Sequence, residues 1–425
     1  MALGAPTLWS NVYIIKSYTE KTREAARINL ERSKACPLFL TWFPNQWQSA
    51  AETQEVIDDL IIPYANRWQR ITLIAGEEVA AALFIAMGHL DFEILQDLEI
   101  SRLPSQSPLS WPTLCRSAPL LRRCRLSHVP PLPPLPSNLV VLDCLLTRLG
   151  DEPFNLDPLL EFLPHVAHSL EHLRFESPTF DVLVTPRKSR ITLQNLKSLL
   201  VKDSNDIVEH LFTPNLTHLA ASFIFDGQQV AETFYGFSAP KLQSIRFDRT
   251  TLLPLVTLHD LPSMFPQLES AMFEGCFDES AFIDLLKPPL LPPLQKAAEH
   301  PPKHHSVENP FPKLKELAIS DVDDLTSLQA VIESRRKNGD KSLRTVHLPK
   351  KSATEGIIRD PTHWLPKQCI ELVLYKSWRL RTPAPLVFQD DFCNEDSRLF
   401  NEIMDEDEWD DGGGSDFDDW TYGSS

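Results

Sequence analysis

The stretch ITLQNLKSLLVKDSNDIVEHLFTPNLTHLAASF, residues 191–223, contains two copies of one phrase, LQNLKSLLV (193–201) and TPNLTHLAA (213–221). Each copy has a leucine, two or three polar residues, a second leucine and then alternating apolar residues. Further copies are APKLQSIRF (239–247), FPQLESAMF (265–273), FPKLKELAI (311–319), SLEHLRF (169–175) and SLRTVHL (342–348). Internal repetition on this scale is the first feature to interpret, because it decides the fold.

The phrase predicts a turn followed by a short strand. A proline usually precedes the leucine, and the final apolar residues alternate with period two, so they point to one face of a strand. Stacked copies would place these strands side by side in a parallel sheet, with each repeat covering the apolar face of its neighbour. The predicted fold is therefore α/β, an irregular leucine-rich-repeat-like solenoid with a parallel sheet on one face and helices or loops on the other. The copies are spaced roughly 21 to 46 residues apart, which indicates insertions between some of them.

Composition argues against the common nucleotide-dependent enzymes. The 425 residues include 36 prolines and only 13 glycines, and the phosphate-loop, dinucleotide-binding, G-x-S-x-G and H-E-x-x-H motifs do not occur in the sequence. We therefore expect no catalytic, cofactor-binding or metal-binding residues. An uncharacterised enzyme is the alternative, and its acid–base candidates are His128, His165, His168, His172, His210 and His218. The cluster His300, His304 and His305 lies between prolines and is interpreted as an exposed loop, not as a metal site.

The negative charge is concentrated at the end of the chain. Residues 389–425 hold 14 acidic residues and one arginine, which is −13 of the total of −17. The body is therefore nearly neutral, which argues against sequence-independent nucleic-acid binding. Seven cysteines without a C-x-x-C pair, no apolar leader and no long apolar run favour an intracellular protein, cytoplasmic or nuclear, that does not enter a membrane.

Three segments near the start have patterns of their own. They are APTLWSNVYI, ARINLERSKACPLFLTWF and IIPYANRWQRITLI, and their residues predict a strand at Val12–Ile15, a helix capped by Thr19, and strands at 36–43 and 70–74. In this order the segments resemble a large group of F-box proteins with leucine-rich-repeat-like bodies found in mushroom-forming fungi. The matching positions are Pro6, Leu8, Trp9, Ser10, Leu30, Glu31, Arg32, Ser33, Cys36, Pro37, Leu38, Arg67, Trp68, Ile71 and Leu73. Asn29 departs from the group, which usually has tryptophan there.

The resemblance implies a role in a cullin-RING ubiquitin ligase. In that group an F-box of about 40 residues precedes the TPxLWS-like segment and binds a Skp-type adaptor, while the repeats recognise a protein substrate. The F-box itself would lie before Met1. The resemblance therefore implies a substrate-recognition subunit if an F-box lies upstream, and a stand-alone repeat scaffold is the alternative.

The expected organisation has three parts: an F-box-adjacent region at 1–75, the repeat body at 76–388 and a disordered acidic tail at 389–425. The sequence does not identify the partner-binding residues. It does predict which polar residues of the phrases face solvent, namely Lys197, Ser198, Thr217, His218, Gln243, Ser244, Lys315 and Glu316. The basic stretch RRKNGDK, 335–341, is interpreted as a turn after the helix 325–336, with charges that face water.

Overall fold

The computed structural model describes residues 5–16, 19–44, 49–102, 117–127, 138–145, 154–176, 182–183, 190–202, 206–222, 239–248, 261–274, 283, 286, 311–319, 325–337, 339–349 and 370–375. Within this part of the chain, one parallel sheet of 14 strands accounts for most of the regular structure. The proline-rich stretch 130–137, the histidine cluster 300–305 and the predicted acidic tail lie outside the described residues.

The large sheet confirms the predicted repeat fold. Its strands, in spatial order, are β1 (Asn11–Lys16), β2 (Leu38–Pro44), β3 (Trp68–Ala75), β4 (Asp97–Arg102), β5 (Arg123–Ser127), β6 (Val141–Leu145), β8 (His172–Glu176), β11 (Ser198–Lys202), β13 (His218–Ser222), β14 (Ser244–Asp248), β15 (Ser270–Glu274), β16 (Glu316–Ile319), β17 (Thr345–Pro349) and β18 (Glu371–Tyr375). Two small parallel sheets pair β7 (Phe154–Asn155) with β9 (Val182–Leu183), and β10 (Ile191–Thr192) with β12 (Leu211–Phe212). Spatial order follows chain order, as it must when each repeat stacks on the one before.

Helices connect some of the strands. They are α1 (Glu20–Ser33), α2 (Ala50–Val56), α3 (Glu77–Met87), α4 (Asp157–Val166), α5 (Asp206–Glu209), α6 (Leu261–Met264) and α7 (Leu325–Lys337). The Thr19 hydroxyl caps α1 by accepting a hydrogen bond from the Thr22 backbone N–H, as the sequence predicts. Ser49 and Glu52 form a capping box at α2, and five further residues, Ile57–Ile61, continue that helix in π geometry.

A buried leucine two residues before the strand organises each repeat from β4 to β17. These residues are Leu95, Leu121, Leu139, Leu170, Leu196, Leu216, Leu242, Leu268, Leu314 and Leu343, and all of them are buried. A turn brings each leucine into the core. In the β14 repeat, for example, the Leu242 N–H donates to the Ala239 carbonyl at 2.9 Å, and Pro240 lies between them. Proline suits that position because its fixed φ matches the first central residue of a turn.

Polar side chains next to the leucines link successive turns. Asn138, Asn195 and Asn215 occupy the same position in their repeats, three residues before the strand. Each donates its side-chain amide to a backbone carbonyl of the preceding repeat, at 3.1, 2.5 and 2.7 Å respectively. These bonds satisfy turn carbonyls that lie outside the strands of the sheet. They therefore hold neighbouring repeats in register.

The first three strands continue the repeat sheet without interruption. Strand β3 ends at Ala75 and pairs with β4 over six residues, Arg70 to Ala75, so the sheet crosses the predicted boundary at 75/76. Residues that carry the family resemblance pack together at this end. The Arg32 guanidinium lies 4.5 Å from the centroid of the Trp9 ring, and Arg67 donates to the Ser33 hydroxyl at 2.6 Å. Their observed contacts are therefore structural.

The prediction for Arg335 is wrong. This residue lies in the last turn of α7 and does not face water: it is 3% exposed. Its guanidinium pairs with Asp340 at 2.7 Å and donates to the carbonyl of Phe311 at 3.0 Å. Phe311 has a positive φ of 51°, which L-residues rarely adopt, and the contact with Arg335 holds its carbonyl in place. The helix and the turn at Gly339, with φ of 80°, are as predicted.

Two adjacent leucines test the organising position. Leu121 is fully buried, whereas Leu120 is 45% exposed. We expect Leu121→Ala to lower the free energy of unfolding by about 2–5 kcal/mol, because it leaves a cavity in the core. Leu120→Ala removes the same atoms from the surface and should change the free energy of unfolding by less than about 0.5 kcal/mol. Urea denaturation of both variants measures the difference, and equal effects would contradict the role assigned to the leucine column.

Candidate functional site

The face of the sheet that points away from the core is the candidate site. In each strand the apolar residues that enter the core alternate with residues that point outward. On β8, for example, Leu173 and Phe175 are buried, whereas His172, Arg174 and Glu176 lie on the outward face. Because the strands are parallel and in register, outward residues of neighbouring strands line up in rows across the sheet.

A charged ladder crosses this face from β3 to β11. We use that name for the nine residues Arg70, Asp97, Glu99, Arg123, Arg125, Asp143, Arg174, Glu176 and Lys202. Cations on β3, β5 and β8 alternate with carboxylates on the strands between them. Opposite charges on adjacent strands stabilise a sheet, so the alternation is consistent with the register.

The ladder is continuous through its ion pairs on β4 to β11. Arg125 Nη1 lies 3.2 Å from Glu99 Oε1, and Arg125 Nε donates to Asp143 Oδ2 at 2.9 Å. On the other side of Asp143, Arg174 Nε lies 3.6 Å from Oδ1. Arg174 Nη2 also donates to Glu176 at 3.0 Å, and Glu176 accepts a further hydrogen bond from Lys202. Each internal carboxylate therefore has at least one cation beside it.

The cations of the ladder are more exposed than its carboxylates. Side-chain exposure is 38% for Arg70, 46% for Arg123, 21% for Arg125, 28% for Arg174 and 44% for Lys202. It is 19% for Asp97, 15% for Glu99, 6% for Asp143 and 13% for Glu176. The acids are therefore recessed between the basic side chains, and an approaching partner meets the positive groups first.

Burial and pairing shift the pKa of several groups on this face. Burial raises the pKa of Glu176, but hydrogen bonds from Lys202 and Arg174 outweigh it, so the net pKa lies below its ordinary value. Burial lowers the pKa of both His172 and His218, which favours neutral imidazoles near neutral pH. Glu176 is therefore ionised at pH 7, whereas the neighbouring His172 and His218 carry little charge.

Beyond β11 the outward face changes character. The central positions are held by small or apolar residues, among them Ala220 on β13, Met272 on β15 and Ala318 on β16, and all three are buried. Arg246 on β14 lies in the same row. The charged ladder is therefore confined to one half of the sheet.

Of the eight residues predicted to face solvent, three are exposed, four are half-buried and one is buried. Ser198 is 1% exposed, so that prediction is wrong: its short side chain lies between the side chains of β8 and β13. Lys197, Gln243 and Lys315 are exposed, and Thr217, His218, Ser244 and Glu316 are half-buried. Lys197 pairs with Glu171, and Lys315 with Glu269, each at 2.7 Å across neighbouring repeats.

The histidines of the enzyme alternative are dispersed over different elements. His165 lies on α4, His168 in the turn after it, and His172 on β8, so the three do not share a helix face. Glu171 Oε2 lies 3.9 Å from His172 Nε2, which is longer than a hydrogen bond. His218 Nδ1 lies 2.8 Å from the Thr217 hydroxyl. His128 lies outside the described residues.

Metal and thiol chemistry have no assembled site in the described segments. No group of three or more His, Cys, Asp or Glu side chains is placed there to hold a metal ion. Cys124 and Cys144 are buried, and burial raises the pKa of Cys144 well above its ordinary value, which disfavours the thiolate. Among the helices described, none has the length and hydrophobicity needed to cross a membrane.

The sequence contains a signal for the ladder that the repeat phrases alone do not reveal. In DLEI, RCRL, VLDC and HLRF, the residue between the two core positions is Glu99, Arg125, Asp143 and Arg174, with alternating charge. Recognising the alternation of charge requires that β6 be identified as the strand of a repeat. Its strand VLDCL follows the proline-rich stretch, and that stretch obscures the turn formed by Asn138 and Leu139.

Comparisons with known proteins provide no functional assignment. No protein-family model matches the chain, and no curated protein matches it. One solved structure that is similar is the crystal structure of a Bacteroides fragilis protein, a target of the Northeast Structural Genomics Consortium. It shares 11% sequence identity, covers 77% of this chain and 69% of its own, and has a TM-score of 0.31. This similarity is too low to support an argument about function.

Asp143 is the central carboxylate of the ladder and tests its structural contribution. Asp143→Asn keeps the shape of the side chain but removes the charge that Arg125 and Arg174 share. We expect the free energy of unfolding to fall by about 3 kcal/mol, the lower end of the range for breaking a buried pair, because the arginines keep some contact with water. Chemical denaturation measures it.

An exposed ion pair provides the control for that experiment. Glu31 pairs with Arg27 on α1, and both side chains are more than half exposed. Glu31→Gln should therefore change stability by less than about 1 kcal/mol. A similar loss in both variants would show that the position of Asp143 between two arginines has no special importance.

Proposed function

We propose that this protein is a non-catalytic recognition module that binds a partner protein on the outward face of its repeat sheet. The observation that carries the proposal is the charged ladder, whose basic side chains project beyond the acids that pair with them. Aligned rows of outward side chains form an extended surface, which repeat folds commonly use to bind other proteins. Because the charged side chains cluster on one half of the face, we expect the partner to bind there.

The proposal is tested by neutralising the most exposed ladder cations. Arg123→Gln with Lys202→Gln removes two charges from the face, and Lys21→Gln with Lys337→Gln removes two from the exposed surfaces of α1 and α7. We expect proteins captured in cells by the unaltered chain to be lost with the first variant and retained with the second. Quantitative mass spectrometry of the captured proteins measures this.

Two controls make the comparison decisive. Thermal unfolding should show that both double variants remain folded, so that loss of a partner reports on the surface. Identical captured proteins for the unaltered chain and both variants would contradict recognition through the ladder.

A role in a ubiquitin ligase is the more specific form of this proposal. What supports it is the resemblance of the three segments near the start of the chain to F-box proteins with repeat bodies. In this role the repeats bind the substrate, and an F-box upstream of the TPxLWS-like segment binds a Skp-type adaptor. The alternative is a stand-alone repeat scaffold.

The two forms differ in adaptor binding. The 5′ end of the native transcript shows whether an F-box pattern is translated in frame before Met1. For a product with an F-box, we expect a Skp-type adaptor to co-purify in stoichiometric amount, and deletion of the F-box helices to abolish this. Absence of the adaptor from the full product would eliminate the ligase role and leave the scaffold.

A further inference from the structure

The more exposed groups of the charged ladder are its cations, and this indicates the chemistry of its partner. It contains five cations and four carboxylates, yet every one of the cations is more exposed than any of the carboxylates. The neighbouring edge adds the exposed Arg122, whereas Glu171 and Lys197 pair with each other. The surface that a partner would contact is therefore basic, although the chain as a whole carries −17. Such a surface complements a negatively charged ligand.

The register of the strands sets the spacing of these cations. Three strands carry these cations: β3 with Arg70, β5 with Arg123 and Arg125, and β8 with Arg174. One strand lies between β3 and β5, namely β4, and one lies between β5 and β8, namely β6. Adjacent strands lie about 4.8 Å apart, so consecutive basic strands are about 10 Å apart. A ligand that contacts all three basic strands must therefore repeat its negative charge at about this interval.

A polyproline II segment with an acidic residue at every third position has this repeat. It rises about 3.1 Å per residue with three residues per turn, so residues i, i+3 and i+6 lie on one side at about 9 Å intervals. In a β-strand, residues on one side are only about 6.8 Å apart. A helix can match the interval only through residues seven apart, which needs about twice as many residues for the same three contacts.

We propose that the charged ladder binds an acidic segment of a partner protein, held in polyproline II conformation across strands β3 to β8, with a carboxylate at every third residue. This inference rests on the proposed recognition function and adds the chemistry of the ligand. Arg123 and Arg125, on β5, lie at the centre of the site, Arg70 lies at its β3 end and Arg174 at its β8 end. Asp143 and Glu99 hold the arginine side chains in position, so the site is ordered before the ligand arrives.

The pattern of the ligand can be tested with peptides of equal composition. The peptide EPPEPPEPP has the proposed spacing, whereas EEEPPPPPP has the same charge in one cluster. We expect the full-length protein to bind the spaced peptide about tenfold more tightly by fluorescence anisotropy, with an affinity that falls as salt increases. A third peptide, helical and with glutamates seven residues apart, tests the helical alternative.

Two variants locate the binding. Arg123→Gln should weaken binding of the spaced peptide several-fold, because it removes an exposed cation from the site. Arg27→Gln removes a cation from α1, outside the ladder, and should leave the affinity unchanged. Circular dichroism melting curves should show that both variants are folded.

Four outcomes would overturn the inference. Equal binding of the spaced and clustered peptides would show attraction by net charge alone, and so would equally tight binding of single-stranded nucleic acid. Tighter binding of the helical peptide would show that the ligand binds as a helix and not in polyproline II conformation. Absence of binding by any peptide would reject the acidic ligand.

The proposed function can fail separately. If the peptides do not bind but the Arg123→Gln and Lys202→Gln variant still loses its cellular partners, recognition through this face stands and only the ligand chemistry is wrong. If the peptides fail and the cellular partners are also unaffected, both proposals fail.

Discussion

The structure depends on one buried leucine in each repeat, two residues before the strand. That side chain lies in the same hydrophobic core as its counterparts in the other repeats, and no single repeat could bury it alone. The turn delivers the leucine into the core, and the strand then begins in register with the previous one. Insertions of different length are tolerated because they enter and leave the repeat outside this short unit.

The core also determines the outward face. Once the leucine and the two alternating core residues of a strand are fixed, the residue between them must point outward at a set distance from its neighbours. Charges that are next to a core position in sequence are thereby brought beside charges from another repeat. Arg125 contacts Glu99 and Asp143, which are 26 and 18 residues away in the chain. The ladder is thus a consequence of stacking.

The three segments near the start of the chain have a physical role in this arrangement. Trp9 packs against Arg32, Arg67 reaches Ser33 and the carbonyl of Cys36, and the Phe39 N–H donates to the Ser10 carbonyl. These contacts secure α1 and the first three strands to each other at the end of the sheet. The residues of these segments therefore determine how the sheet begins.

The sequence by itself determined the repeat, the parallel sheet, α1 and α7, and the first three strands, because these depend on local periodicity and on caps such as Thr19. It also predicted that the polar residues of the phrases face solvent, and Lys197, Gln243 and Lys315 are exposed. Tertiary structure alone decided that Ser198 is buried between two neighbouring strands and that Arg335 is buried against Asp340 and Phe311. It also decided which charges meet across the ladder. Those outcomes depend on contacts between residues distant in sequence, whose register a single repeat does not specify.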